Sequence, residues 1–217
     1  MQSNSRDFLP AAGSDWALPL YDPITRLMGV ESVRLKVLDH VTFNPGARVL
    51  DVGCGTGTLA TFVKQSHPGV DVVGLDPDPK ALARARKKAA GAGISITFDE
   101  GFSDHLPYAD RSFDRVFSSL MFHHIPTGQK PIMLREVRRV LKPGGSFHLV
   151  DFSRADSQGG HRHSLKHLLC VSGHFKGNAD GAILSLFEEA GFANSQKTSE
   201  ATMFLGLLRL AYFAASA

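Results

Sequence analysis

The stretch RVLDVGCGTG, Arg48 to Gly57, decides the fold. Val49, Leu50 and Val52 form a short apolar run of the kind that fits a strand buried on both faces. The run passes Asp51 and enters Gly53, Gly55 and Gly57, glycines on alternate positions. No side chain obstructs such a turn, so backbone N–H groups can come close to a ligand. Thr58 to Gln65 follows as a helix whose N-terminus points back at that ligand. Strand, glycine corner and helix make a nucleotide-sized site.

The acids and the glycine spacing choose among nucleotides. The dinucleotide fingerprint is G-x-G-x-x-G, with an acid about 20 residues on. Here the spacing is G-x-G-x-G, Asp51 stands two positions before the first glycine, and a second acid, Asp76, closes the next apolar run, Val70 to Leu75. A carboxylate at the end of a second parallel strand can accept both ribose hydroxyls. The pattern D-x-G-x-G-x-G followed by an acid resembles motifs I and II of the class I S-adenosylmethionine-dependent methyltransferases. That ligand brings no pyrophosphate to cradle, and Asp51 adds negative field near a sulfonium and an ammonium group. A glycine corner can also be a tight strand–helix connection with no ligand; the two acids favour the ligand.

Length and composition bound the rest. The chain has 217 residues, 43% hydrophobic and 21% charged, which fits one globular domain with a sizeable core. The net charge is +3 and the sequence pI about 9.0, a mild basic excess. Its lysines and arginines are spread along helical segments such as Arg84, Arg86, Lys87 and Lys88, which predicts a solvated face and no nucleic-acid groove. Two cysteines, Cys54 and Cys170, are too few for a disulfide framework and suit a reducing cytoplasm. The N-terminus lacks the layout of a signal peptide. The longest apolar stretch, Met203 to Ala215, is broken by Arg209 and too short to span a bilayer. A soluble cytoplasmic protein, monomer or homodimer, is expected.

Residues 1–20 read as a loose arm. Apolar residues from Ile24 to Val41 recur at helical spacing with an interruption near Gly29, which predicts two short helices. Residues 1–44 thus form an N-terminal arm with lid helices, and residues 45–217 the cofactor-binding domain. After the glycine corner, βα units repeat. The predicted strands are Val70–Leu75, Ile94–Phe98, Arg115–Ser119 and Ser146–Phe152. The predicted helices open at Pro77-Asp78, run from Gln129 to Leu141 on the stripe Met133, Leu134, Val137, Val140 and Leu141, and run from Ala182 to Ala190. This alternation means an α/β fold, a mostly parallel sheet with helices on both faces.

The run LPYADRSFDRVFSSLMFHHI, with LREVRRVLKPGG downstream, is similar to the methyltransferase branch that includes the quinone-biosynthesis (UbiE-type) C-methyltransferases and many small-molecule O-methyltransferases. The similarity covers about residues 45 to 155. It implies a Rossmann-like, seven-stranded sheet of order 3-2-1-4-5-7-6, with strand 7 antiparallel. Ser195–Ser199 supplies the sixth strand and Met203–Phe213 the seventh. It also implies S-adenosyl-L-methionine as cofactor. One departure concerns adenine: the branch usually has G-D-A after the third strand, where this chain has Gly101-Phe102-Ser103. Phe102 can pack on the adenine face while Ser103 or a backbone carbonyl takes the amino group; it can equally be an ordinary core aromatic.

Ligands of open α/β sheets bind at the carboxyl ends of the strands. That rule gathers Asp51, Gly53, Cys54, Gly55, Gly57, Asp76, Pro77, Phe102, Ser103, Ser118, Ser119 and Leu120 around the cofactor. The serines would offer backbone carbonyls to the methionine ammonium, and Leu120 to Phe122 would line the wall near the methyl group. His123 and His124 follow the fourth strand and are the candidate bases for a hydroxyl acceptor; His123 is read as facing the pocket and His124 as structural. Tyr21, Arg26, Phe122, His161, His163 and His167 are the candidate acceptor contacts, the last three in a variable insert at about residues 153–180. The spacing H-x-H-x-x-x-H lacks carboxylate or paired cysteine support, so no metal site is expected.

The sequence therefore points to a methyltransferase acting on oxygen or carbon of an aromatic or quinone-like small molecule, with no nucleic-acid partner and no membrane span. Two other readings stay open: a NAD-dependent Rossmann oxidoreductase, and a non-catalytic subunit that binds the cofactor and lends its fold to a partner.

Overall fold

The computed structural model describes residues 29–152, 179–203 and 208–217. The arm before residue 29 and most of the 153–180 insert therefore lie outside the described residues.

Helix α1, Val30–Lys36, and a short 3-10 turn, Leu38–His40, precede the sheet. Strand β1 is Arg48–Val52, and helix α2, Thr58–Ser66, follows its glycine corner. β2, Asp71–Asp76, leads into α3, Pro79–Gly91, where the Asp78 side chain caps the first turn by accepting the Lys80 N–H at 2.8 Å and Pro79 supplies a preset φ. Then come β3, Thr97–Glu100, and β4, Phe113–Ser119. Helix α4, Lys130–Val140, runs directly into β5, Leu141–Phe152. The described part of the chain ends with α5, Asp180–Glu189, β6, Ala193–Met203, and β7, Leu208–Ser216.

The seven strands form one sheet in the order β3-β2-β1-β4-β5-β7-β6. β1 to β5 pair in parallel, while β7 runs antiparallel to both β5 and β6. Order and direction match the expectation, but several boundaries move. β3 begins three residues later than its apolar pattern suggested, because Ile94 and Ile96 pack against the core from the approach to the strand. Met203 belongs to β6, so β7 starts further on. β6 is longer than expected despite its polar residues, as an edge strand with one solvated face allows. The Lys-Pro-Gly-Gly break lies inside β5 as an irregularity: pairing with β4 jumps from Phe113↔Leu141 to Arg115↔Ser146. Gly145 is needed there, since a Cβ would lie 2.9 Å from the Lys142 carbonyl oxygen.

The sheet is buried on both faces. Leu134 and Val137 of α4 and Ile183 and Phe187 of α5 pack on Leu50, Val116 and Phe147 from one side. Leu59 and Val63 of α2 and Leu82 and Ala85 of α3 pack on Val49, Val72 and Phe117 from the other. Val30 joins Leu120 and Leu210, so the start of α1 sits over the end of β4. Of the α3 basic residues, Arg84, Arg86 and Lys87 are exposed as expected and Lys88 is half-buried; Arg86 also donates to the Phe98 carbonyl at 2.6 Å and Lys88 to the Thr58 hydroxyl at 2.7 Å.

His148 is among the polar side chains buried in the sheet. His148 of β5 has Nδ1 at 2.5 Å from the Tyr212 hydroxyl and Nε2 at 2.7 Å from the Ser146 hydroxyl, and its ring stacks on Phe117 at 5.0 Å. Burial, with a smaller push from Arg115, brings its pKa from 6.5 down to about 3. The unfolded chain therefore takes up a proton that the folded protein refuses. Stability should fall as pH drops from 6.5 towards 3, with a slope approaching about 1.4 kcal/mol per pH unit. Urea unfolding midpoints across that range should show this component in the wild type and lose it in His148→Phe.

Candidate active site

The corner after β1 is built by hydrogen bonds from its own amides. Gly53 and Cys54 N–H both donate to the Leu75 carbonyl, at 2.8 and 3.0 Å, and Gly57 N–H donates to the Cys54 carbonyl at 2.9 Å. Gly55 N–H donates to Asp76 Oδ2 at 2.7 Å. The amides that the sequence offered to a ligand are thus spent inside the protein. The missing side chains serve packing as well. A Cβ on Gly53 (φ +72°) would lie 2.3 Å from Met121 Cγ, and one on Gly57 (φ +71°) would lie 2.8 Å from Ala85 Cβ. Cys54 turns its sulfur into the sheet, where a Cβ on Gly74 would be 2.9 Å away, and burial pushes its thiol pKa well up.

Asp76 is the acid this corner holds. Its second oxygen accepts the Asp78 N–H at 2.9 Å, so two backbone amides fix the carboxylate at the carboxyl end of β2. A carboxylate has about four lone-pair sites, and two hydrogen bonds leave acceptor capacity for a ligand's hydroxyls. Burial raises its pKa from 3.8 to about 6, a shift the two amides only partly offset. Gly101 N–H reaches the Asp76 carbonyl at 3.2 Å, which brings Phe102 and Ser103, both half-buried, beside the same corner. Pro77 is half-buried between Asp76 and the helix cap, and Asp51 is buried at the end of β1.

The end of β4 forms the opposite wall. Ser118 and Ser119 are buried, and the Ser118 hydroxyl has no hydrogen-bond partner among the described residues. Leu120 takes φ +57°, an uncommon conformation for a residue with a bulky side chain, and the chain bends there into the 3-10 turn Phe122–His124. Phe122 is fully buried in the core under α4, so it has no surface to offer an acceptor; this corrects its assignment as an acceptor contact.

His123 is buried against Asp151, the acid that ends the apolar part of β5. Asp151 Oδ1 is 2.6 Å from His123 Nδ1, its Oδ2 accepts the His123 N–H at 3.1 Å, and Oδ1 also accepts the Phe152 N–H at 2.6 Å. His124 is half-buried, its ring 4.0 Å from that of His123. Lys130, the first residue of α4, is fully buried with its ammonium 4.8 Å from the Phe122 ring centroid. Burial lowers its pKa, and the Asp151 charge pulls the other way. The sequence reading missed Asp151 and Lys130. An acid closing a buried apolar run is the signal that identified Asp51 and Asp76, and LVDF carries it too.

Tyr21, Arg26, His161, His163 and His167 lie outside the described residues. Among the described residues no group of His, Cys, Asp or Glu could hold a metal ion, and no helix is long and apolar enough to cross a membrane.

Sheet order and strand directions define a Rossmann-like α/β domain with the strand order expected of the class I methyltransferase fold. Residues 49–145 match the model of a methyltransferase domain, and the chain resembles the class I, UbiE-type enzymes. The chain is 39% identical over 126 residues to an uncharacterized methyltransferase of Synechocystis, covering 58% of this chain and 57% of the relative. It is 36% identical over 137 residues to the demethylmenaquinone methyltransferase of Thermus thermophilus, covering 62% and 61%. It thus spans about three fifths of those relatives' lengths. In fold it is similar to phosphoethanolamine N-methyltransferase 2 of Haemonchus contortus, solved with S-adenosyl-L-methionine, at a TM-score of 0.76 and 18% identity over 100% of this chain and 61% of that one. It is also similar in fold to the [4+2]-cyclase SpnF, at a TM-score of 0.68 and 18% identity over 86% of this chain and 80% of that one.

The packing at Gly53 is testable. Gly53→Ala should cost about 1–2 kcal/mol for a left-handed L-residue and about 1–3 kcal/mol more for crowding Met121. In a double-mutant cycle of urea unfolding, Met121→Ala should recover the crowding part and leave the backbone part.

Proposed function

We propose that this protein is an S-adenosyl-L-methionine-dependent methyltransferase acting on oxygen or carbon of an aromatic or quinone-like small molecule. The carrying observation is the Asp76 carboxylate, fixed by the Gly55 and Asp78 amides at the end of β2 inside a methyltransferase domain. When bound, the cofactor supplies an electrophilic methyl group on a sulfonium.

The residues present fit that group. Asp76 has acceptor capacity for the two ribose hydroxyls, and Asp51 adds negative charge on the side where the ammonium and sulfonium belong. Phe102 covers the adenine face, with Ser103 or a backbone carbonyl for its amino group. The carbonyls of Ser118 and Ser119 hold the ammonium, and the buried Ser118 hydroxyl is a further polar group on that wall. Leu120 keeps the methyl end dry. His123 accepts the acceptor's proton. Residues 1–44 act as the lid, a placement that the contact of Val30 with Leu120 supports. Tyr21, Arg26 and the histidines of the insert contact the acceptor. Positioning alone can supply about 7–11 kcal/mol of barrier reduction for a well-oriented pair. The quinone-like acceptor is supported by the name of the Thermus relative.

Isothermal titration with S-adenosylhomocysteine should show binding, and NAD should not compete. Asp76→Ala should weaken that binding by about 1.5–3 kcal/mol, the worth of a hydrogen bond to a charged group. The carboxylate is ionised above its pKa of about 6 and loses its negative charge below it. Wild-type affinity should therefore be flat above pH 7 and fall as pH drops through 6, while the Asp76→Ala profile should lack that fall. Unchanged affinity in Asp76→Ala, or displacement by NAD, would reject the reading.

A further inference from the structure

Three ionisable side chains meet below the carboxyl ends of β4 and β5, and methyl transfer as such does not require them. Asp151 is fully buried, His123 is buried, and Lys130 is fully buried at the start of α4. They come from three separate elements. Burying charges costs free energy unless they are paired and hydrogen-bonded. Asp151 meets that condition with two backbone N–H groups, those of His123 and Phe152, and with the His123 ring nitrogen Nδ1 at 2.6 Å.

We infer that Asp151 is a positioning residue that fixes His123 as its Nδ1–H tautomer, making Nε2 the nitrogen that takes a proton from an acidic hydroxyl or phenol acceptor. The inference rests on the methyltransferase reading above and adds an acceptor class to it. The same Asp151 carboxylate accepts two backbone amides, and an ionised carboxylate can only accept, so the proton on the 2.6 Å contact is assigned to Nδ1. A carboxylate behind an imidazole sets its tautomer and stabilises the imidazolium that forms when Nε2 is protonated. In the step itself the acceptor's O–H bond breaks and the proton joins Nε2. The oxygen keeps the electron pair that attacks the methyl carbon. An acceptor that is already a neutral amine has no need of such a base in forming the new bond, so the arrangement favours hydroxyl acceptors.

Among the described residues, the titratable groups that face His123 are Asp151 from β5 and His124 from its own turn, with the uncharged Phe152 ring edge-on at 5.1 Å. Lys130 of α4 interacts electrostatically with Asp151. The His123 and His124 rings lie 4.0 Å apart.

Asp151→Asn tests the tautomer directly. An amide offers one acceptor oxygen and one NH2. Placed at Oδ1, the NH2 faces Nδ1 and the Phe152 N–H; placed at Oδ2, it faces the His123 N–H. The first arrangement pushes the ring proton to Nε2, and the second loses an amide bond of the turn. Nitrogen-15 histidine NMR, with the His123 signal assigned by its loss in His123→Gln, should show Nδ1 protonated and Nε2 bare in the neutral wild-type ring. Asp151→Asn should move the proton to Nε2 or lower the midpoint of titration by a pH unit or more. Its S-adenosylhomocysteine affinity should stay within twofold, and methylation of catechol as probe should fall by about 10²–10⁴-fold, the usual worth of a general base. Asp151→Glu should recover part of that loss.

A wild-type His123 protonated on Nε2 overturns the inference without any variant, so a misfolded Asp151→Asn leaves it decided. An unchanged tautomer and midpoint in a folded Asp151→Asn also overturns it, and leaves Asp151 as a clasp that shows only in the melting temperature. Absence of S-adenosylhomocysteine binding by the wild type would instead reject the methyltransferase reading, whatever the NMR shows.

Discussion

The Leu75 carbonyl, receiving two amides from the far side of the glycine corner, is the contact on which the rest of this structure depends. Gly53 and Cys54 reach it at 2.8 and 3.0 Å, and one residue later Asp76 takes the Gly55 amide. These bonds tie the turn after β1 to the end of β2, so the direction in which α2 leaves the sheet is set by the neighbouring strand. They also explain why a left-handed backbone recurs at Gly53, Gly55 and Gly57. A side chain at the first or third of these would collide with Met121, or with Ala85 and Phe98. The corner is a packed joint.

From that joint follows a pattern of buried acids. Asp51, Asp76 and Asp151 close β1, β2 and β5 and are 3%, 9% and 0% exposed, so the charge at the carboxyl ends of the strands sits under the surface. Asp76 and Asp151 make that burial tolerable by facing backbone amides. Yet the Asp76 pKa still rises to about 6, which means that its amides do not fully replace water. In the proposed reading that remainder is the opening for a ligand, whose hydroxyl donors at Asp76 would complete its solvation. Asp151 finds its completion within the chain, through the His123 ring.

What the sequence could reveal divides along the same line. Most elements were legible because they carry their own local signal, from the β-branched run of β2 to the i, i+3, i+4 stripe of α4, while their order in the sheet came from the resemblance to the methyltransferase family. Asp76 was legible because it closes such a run. The His123–Asp151 pairing was not, since its members are 28 residues apart and meet through strand register, with Ser119 beside Val150. Phe122 sits on a 3-10 turn and is fully buried, and no strand or helix period describes that placement. The internal use of the corner's amides was equally hidden, because a glycine pattern shows where the backbone can come close to something without saying to what.

The opposite end of the sheet shows why location matters more than cavity size in choosing the site. A cavity of about 620 Å³ opens at the amino ends of β4 and β5, walled by Arg111, Arg135, Arg138 and Arg139 among others. Its arginines look like an anion site until their bonds are followed. Arg139 reaches the carbonyls of Tyr108 and Leu106 at 2.8 and 2.9 Å and also pairs with Glu136 and Asp110, while Arg138 donates to the Gly191 carbonyl. Glu136 in turn accepts the Leu106 amide at 2.8 Å. These bonds anchor the segment from Leu106 to Asp110 to α4. The loop that contains this segment begins at Phe102, next to the Gly101 amide that reaches the Asp76 carbonyl, so the arginines hold the far end of a loop whose near end borders the glycine corner. The cavity is the gap between those anchors, and its bonded arginines keep that loop in place.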